Sequence, residues 1–278
     1  MNRKYFLSVI AIFKNESWNL NEWISHYVNE GVEHFYLINN NSSDDFMKPL
    51  QSWLTQGMVT LIEDDSKWAQ KRLYDKHFLD KSNESEWFII ADLDEFIYAR
   101  NGFKTVAEYL KTRGERIGMI KIPWKMFGSG GHLKQPKSVL SSFVKRSEYT
   151  GKRKKEWMRS KKIIHCKSIV RGNAVKKFNI HYSKTKFWYF TENAKGKKIF
   201  TPPWGKSDTT ISETLLSQSF LQLNHYNIQS WEWFSKTKVG RGSASTSTHE
   251  HIRNKEYFSR NDLMSDDIID QELALKNY

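Results

Sequence analysis

Asp92-Leu93-Asp94-Glu95 ends the apolar run Trp87-Phe88-Ile89-Ile90-Ala91 on three carboxylates. Residues i and i+2 of an extended segment point to the same side, so Asp92 and Asp94 can converge on one ligand. Two hard oxygen anions suit a divalent cation carrying a diphosphate, because Mg²⁺ and Mn²⁺ favour carboxylate and phosphate oxygens. The competing reading makes these acids loop caps or partners of surface lysines, and a bare D-x-D is short enough for that. The preceding run tips the balance. Apolar at every position, it suits a strand buried on both faces of a parallel sheet, and sites in open α/β sheets lie beyond the carboxyl ends of the strands.

Two more strand ends carry polar groups on that expected edge: Lys14-Asn15-Glu16 and the Asn39 to Asp45 loop, whose Asn, Ser and Asp side chains can hydrogen-bond a base or ribose. The elements behind them alternate. Strands are expected at 6–13, 34–38, 58–62 and 87–91, with helices from Ser17 through Val28 to Gly31, around Phe46 to Leu54, and over 67–79. Short strands separated by such helices indicate βαβ units and a mostly parallel sheet. No Walker A sequence and no G-x-G-x-x-G follows the first strand, which argues against a P-loop NTPase and a dinucleotide enzyme. Beyond Gly128 the periodicity weakens. Short strands are expected at 163–170, 175–180 and 187–190, a helix at 231–239, a mobile Gly/Ser/Thr stretch at 240–248 and an acidic helix at 263–275.

The chain has 278 residues, 11 Trp and one cysteine, Cys166, so no intramolecular disulfide or cysteine-rich zinc site is expected. The apolar run after Asn2-Arg3-Lys4 is too short for a secretory signal and reads as a buried strand, so a cytoplasmic protein is expected. The net charge of +13 is concentrated: 19 Lys/Arg face three acids between Lys145 and Lys206. Interleaved aromatics there suit an anionic glycan, an anionic membrane at its inner face, or nucleic acid; a solvated basic surface is the plainer alternative.

Several motifs recur in one order. They are Lys14-Asn15-Glu16, Glu22-Trp23-Ile24-Ser25-His26-Tyr27, Gly31-Val32-Glu33-His34-Phe35-Tyr36, Asn40-Asn41-Ser42-Ser43-Asp44, Glu86-Trp87 and Asp92-Leu93-Asp94-Glu95-Phe96. Trp124, Phe127-Gly128-Ser129 with His132, Lys167-Ser168-Ile169-Val170 and Asn224-His225-Tyr226 follow, with Ser230, Lys236 and Gly242. This ordered set, over roughly residues 5 to 242, resembles the glycosyltransferase family 92 and family 2-like group.

The resemblance implies a GT-A (Rossmann-like) α/β fold: a mostly parallel central sheet flanked by helices, with a basic acceptor-side region. Residues 1–125 would form the nucleotide-sugar half, 126–242 the acceptor half, and 243–278 a linker with a C-terminal helix. The expected reaction is transfer of a hexose, galactose first, from a UDP-sugar to a glycan or lipid-linked acceptor with inversion. Mn²⁺ or Mg²⁺ would be held by Asp92 and Asp94, with His225 as third ligand and His181 behind it. Donor-binding candidates are Asn15, Glu16, Asn40, Asn41, Ser42, Asp44, Asp92 and Lys236, with Arg241 also near the diphosphate. For the general base the sequence leaves Glu148, Glu156, Asp208 and His132 open. Two positions depart from the family pattern, Gly172 where proline is expected and Asn227-Ile228-Gln229 after His225-Tyr226. The rival class is a metal-dependent nuclease using the same carboxylates and the basic segment; nucleic acid is not the expected partner.

Overall fold

The computed structural model describes residues 3–67, 69–149, 164–199, 207–208, 212–239, 241 and 253–278. Strand β1 (Tyr5–Phe13) sits mid-sheet because everything from Leu7 to Phe13 is buried. Helix α1 (Ser17–Asn29) follows and buries Leu20, Trp23, Ile24 and Tyr27 on one face. Gly31 ends the connection at φ +89°, and a Cβ there would lie 2.5 Å from the Cβ of Ala107, so only glycine meets both demands. Strand β2 (His34–Asn39), helix α2 (Met47–Thr55), strand β3 (Val59–Glu63), helix α3 (Gln70–Phe78) and strand β4 (Ser85–Ile90) complete the parallel half. β1 pairs in parallel with both β2 and β4.

After β4 the chain turns into β5 (Glu95–Ala99), then helix α4 (Val106–Lys111), strand β6 (Ile117–Met126), the single turn α5 (Val139–Ser142) and strand β7 (Lys145–Arg146). Next, β8 (Ile164–Arg171) runs antiparallel between β4 and β6. β9 (Val175–Lys177) and β10 (Lys184–Thr185) form a small ribbon, while β11 (Phe190–Asn193) and β12 (Lys198–Ile199) extend the main sheet. The rest comprises β13 (Ser207–Asp208), helix α6 (Glu213–Ser217), β14 (Leu221–His225), helix α7 (Trp231–Thr237), helix α8 (Lys255–Leu263) and β15 (Ile268–Ile269). The main sheet has the order β12-β11-β6-β8-β4-β1-β2-β3, and β14 bridges β5 and β6. β6 crosses residue 125, and β8 stands inside the sheet begun by the first half.

Helices cover both faces. Leu20, Trp23, Ile24 and Tyr27 of α1 pack on Leu7, Val9 and Ile89. Leu73, Tyr74 and Phe78 of α3 pack on Ile10, Ile12 and Phe88 from the other side. Each fully buried side chain of this size contributes about 2 kcal/mol. The expected α/β class, a mostly parallel sheet flanked by helices, is therefore met.

Two local expectations are corrected. The helix expected over 263–275 is absent: α8 ends at Leu263 and the chain continues as a strap, β15 pairing with β7 before a turn at 272–275. Asp270 and Glu272 are drawn instead into ion pairs with Lys125, Arg146 and Arg100, which outweigh weak helical periodicity. The strand expected at 187–190 begins only at Phe190, because Lys186 to Tyr189 forms a turn. Residues 240 and 242–248 lie outside the described residues. Among the described residues no helix is long and apolar enough to cross a membrane.

Candidate active site

The turn from β4 to β5 carries Asp92, Leu93 and Asp94 to the carboxyl edge of the sheet. It is held from below. The Trp23 indole N–H donates to the carbonyls of Asp92 and Glu95 (3.1 and 3.0 Å), and the Tyr27 hydroxyl donates to the Glu95 carbonyl (3.1 Å). Within the turn the Asp92 N–H donates to Glu95 Oε2 (2.9 Å). The Tyr226 N–H just beyond β14 donates to the Asp94 carbonyl (2.8 Å). A cleft of about 350 Å³ opens above, lined by Asp92 and Asp94 together with Glu16, Trp124, His225 and Lys238.

Fixed cations already face the carboxylates. Lys167, fully buried on β8, donates to Asp92 Oδ2 (2.9 Å) and lies 3.1 Å from Glu95 Oε2. Lys238, one residue past α7, donates to Asp94 Oδ2 (2.7 Å) and lies 3.8 Å from Glu16. Arg241 reaches Glu16 (2.9 Å) and the Lys14 carbonyl (2.8 Å). Burial opposes ionisation at Asp92 and Asp94, but Lys167 at the first and Lys238 with His225 at the second overcome it, so both carboxyls sit below their ordinary range. One ammonium cannot serve two acids equally: burial pushes the fully enclosed Glu95 up to about 7, and its Oε1 has no hydrogen-bond partner among the described residues.

His225 Nε2 lies 3.5 Å from Asp94 Oδ1. Donors at about 2.1 Å from an octahedral ion stand roughly 3 Å apart, so these two can share one ion, with Asp92 (side chain 35% exposed) a second carboxylate on the same turn. Mg²⁺ and Mn²⁺ sites commonly take one or two protein carboxylates and complete their shell with substrate phosphates and water. Asp94 and His225 are the pair that could share such an ion, and among the described residues no group of three His, Cys, Asp or Glu is placed to hold a metal by itself.

Of the donor-binding candidates, Glu16 and Asp92 line the cleft. The Asn15 and Asn40 to Asp44 groups are spent on stitching the β1 and β2 loops together. The Asn15 N–H donates to Ser42 Oγ (2.9 Å), the Ser17 N–H to Asp44 Oδ2 (2.8 Å), and Asn40 Nδ2 to the Asp64 carbonyl (2.7 Å). Asn41 supplies the turn itself at φ 58°. Lys236 points away, paired with Glu232 (2.9 Å) and 61% exposed, whereas Lys238 lines the cleft. Lys167 stands in a sequence motif that carries no role by itself, and a lysine inside a strand rich in apolar residues is the signal that could have found it.

Neither Glu148 nor His132 lines the cleft. Glu148 accompanies Asp267, its N–H donating to Oδ2 (3.1 Å), and His132 packs edge-on to Phe143. Asp208 is on β13, paired with Ile164, and Glu156 lies outside the described residues. His165 and His181 do line the cleft, around Trp124. His181 Nδ1 is 3.2 Å from the Cys166 carbonyl; a carbonyl only accepts, so Nδ1 carries the proton and Nε2 is left as an acceptor. Burial, aided by Lys167, holds this ring neutral, its pKa down to about 3.

Comparison with known proteins gives one family, described as Glycosyltransferase family 92, matching residues 3–261. A family 92 glycosyltransferase of Oryza sativa subsp. japonica is 24% identical over 243 residues, covering 86% of this chain and 36% of that protein. Another, of Ricinus communis, is 22% identical over 129 residues, covering 45% and 23%. The chain thus spans about a third or less of these relatives. Similar solved structures include S. aureus TarS 1–349 (15% identity, TM-score 0.38, 61% of this chain and 48% of that one). Glucosyl-3-phosphoglycerate synthase from Mycobacterium tuberculosis, with Mn²⁺, UDP and glucosyl-3-phosphoglycerate, is 14% identical with a TM-score of 0.26, covering 43% and 44%. Likenesses this partial say nothing about chemistry.

Proposed function

Because the chain belongs to glycosyltransferase family 92, we propose that it moves a hexose from a UDP-sugar to a glycan or lipid-linked acceptor, on a GT-A scaffold and with a divalent ion. The observation that carries this reading is the pair Asp92 and Asp94 at the end of β4, flooring a cleft whose rim includes Lys238, Arg241 and Arg253. Sugar transfer develops charge on the departing diphosphate, and preorganised cations facing that position lower the barrier most. Lys238 and Arg241 are such groups, held by Asp94 and Glu16 before any ligand arrives. Asp94 and His225, with Asp92, would hold Mn²⁺ or Mg²⁺, which when bound supplies further charge neutralisation at the diphosphate. The neutral Nε2 of His181 is placed to accept a hydrogen bond from a sugar hydroxyl in the cleft. Galactose as the sugar, and inversion, rest on the family resemblance alone. A cytoplasmic location at the inner membrane face completes the proposal and is consistent with the single cysteine, which is buried.

The nuclease reading needs the basic segment beside the carboxylates. Of the described basic strands, β11 and β12 instead extend the main sheet from β6, where Phe190 registers with Ile117 at its start, and residues 150–163 lie outside the described residues. Calorimetric titration of UDP with and without Mn²⁺ tests the proposal. Wild type should bind UDP more tightly with the ion, and Asp92→Ala/Asp94→Ala should lose that increment, at least about tenfold in affinity. UDP binding that is absent under every metal condition would sink it.

A further inference from the structure

Lys186 to Tyr189 forms a turn closed by the Tyr189 N–H donating to the Lys186 carbonyl (3.2 Å). Turn centres favour Gly, Pro, Asn, Asp and Ser; here they are Phe187, 87% exposed, and Trp188, 46% exposed. Phe190 adds a third exposed ring at 39%. The tip is aromatic but its base is firmly built. The Lys186 N–H donates to the Ala174 carbonyl (2.8 Å), its ammonium to the Asn173 carbonyl (2.7 Å), and the Phe190 N–H to the Arg116 carbonyl (2.8 Å). Tyr189 presses on Gly118, where a Cβ would stand 2.6 Å from the tyrosine's own.

Cations surround the tip. Lys198 and Arg116 lie 4.3 and 5.0 Å from the Phe190 ring centre. Segments 113–118 and 173–199 hold nine Lys/Arg against Glu115 and Glu192, and Glu192 is paired with Arg113. An apolar ring at a convex tip, collared by cations, matches the requirements of an anionic bilayer. Aromatic side chains enter the boundary between headgroups and acyl chains, while lysines stay among the lipid phosphates. The Phe187 and Trp188 rings meet edge to face at 4.8 Å, so both are offered together.

We propose that the 186–190 turn docks this protein on an anionic lipid surface, with Phe187 and Trp188 inserted and Lys184, Lys198 and Arg116 on the headgroups. Phe190 registers with Ile117, and the cleft opens beyond Trp124 at the other end of β6, roughly 20 Å along the strand. The docked protein therefore presents its cleft away from the bilayer. The docking does not depend on the transfer reading.

Co-sedimentation of the full chain with vesicles tests it, using phosphatidylcholine alone and phosphatidylcholine mixed with phosphatidylglycerol. Wild type should sediment with the mixed vesicles only, and added salt should release it. Phe187→Ser/Trp188→Ser should weaken partitioning at least about tenfold, since two large apolar groups no longer leave water. Lys184→Glu/Lys198→Glu should weaken it while leaving UDP titration unchanged. Equal binding to neutral vesicles, no binding to either, or a Phe187→Ser/Trp188→Ser variant that partitions like wild type would overturn the proposal. So would a dimer, seen by analytical centrifugation, that this double variant dissolves without any vesicle binding.

Discussion

Asp92 and Asp94 share a turn but not an environment. Asp92 remains partly open and answers to Lys167 from β8, whereas Asp94 is enclosed by Lys238 and His225. This difference assigns Lys236 on α7 and Lys238 just past it different fates. Lys238→Ala should weaken UDP binding about tenfold or more, the loss of one hydrogen bond to a charged group. Lys236→Ala should leave it within about twofold, because that ammonium is solvated and paired with Glu232. Titrating UDP into both variants checks the contrast; equal losses would return the role to Lys236. The carboxylates were legible in the sequence because a buried strand ending in D-x-D has few other uses. Their lysines were not, since a lysine's reach depends on which strand or helix end is folded against the turn.

At the scale of elements, periodicity located α1, α2, α3 and the first four strands to within a few residues, because each hides one face or both from water. It did not reveal that β8 inserts antiparallel between β4 and β6, which is what delivers Lys167 to Asp92. Gly172, a departure from the family pattern, ends that strand for a steric reason. A Cβ there would lie 2.0 Å from the Ser82 carbonyl oxygen and 2.3 Å from that of Ser85, both backbone atoms at the entry to β4. Gly172→Ala should therefore destabilise the fold by about 1–3 kcal/mol, the usual cost of overpacking. Urea denaturation measures this, and an unchanged midpoint would show that β4 and β8 can part without cost.

The whole molecule is closed by its last residues. Asp270 bridges Lys125 (2.9 Å) and Arg146 (2.5 Å), Glu272 meets Arg100 (2.7 Å), Lys276 pairs with Glu30, and the Tyr278 hydroxyl donates to His26 Nδ1 (3.0 Å). His26 Nε2 must then donate to the Ile97 carbonyl (2.8 Å), so the ring is held neutral. Burial lowers its pKa to about 3 and that of His34 to about 4. The unfolded chain, with histidines near 6.5, binds more protons below that pH, so this stability is complete above about pH 6.5 and is lost as pH falls towards 4 and 3. His26 alone should account for about 2 kcal/mol of loss by about pH 5. Thermal melts from neutral to acid pH should show the decline and a shallower slope in His26→Asn; identical slopes would refute the assignment. By itself the sequence determined the α/β class, the carboxylate turn that ends β4 and the family, because these follow from local periodicity and short ordered motifs. Only the tertiary structure decided which cations face those carboxylates, that the acidic tail is a strap and not a helix, and that β11 meets the start of β6 while the cleft lies at its end. Charge partners are chosen by proximity in space, and no spacing along the chain encodes that once a strand inserts out of order.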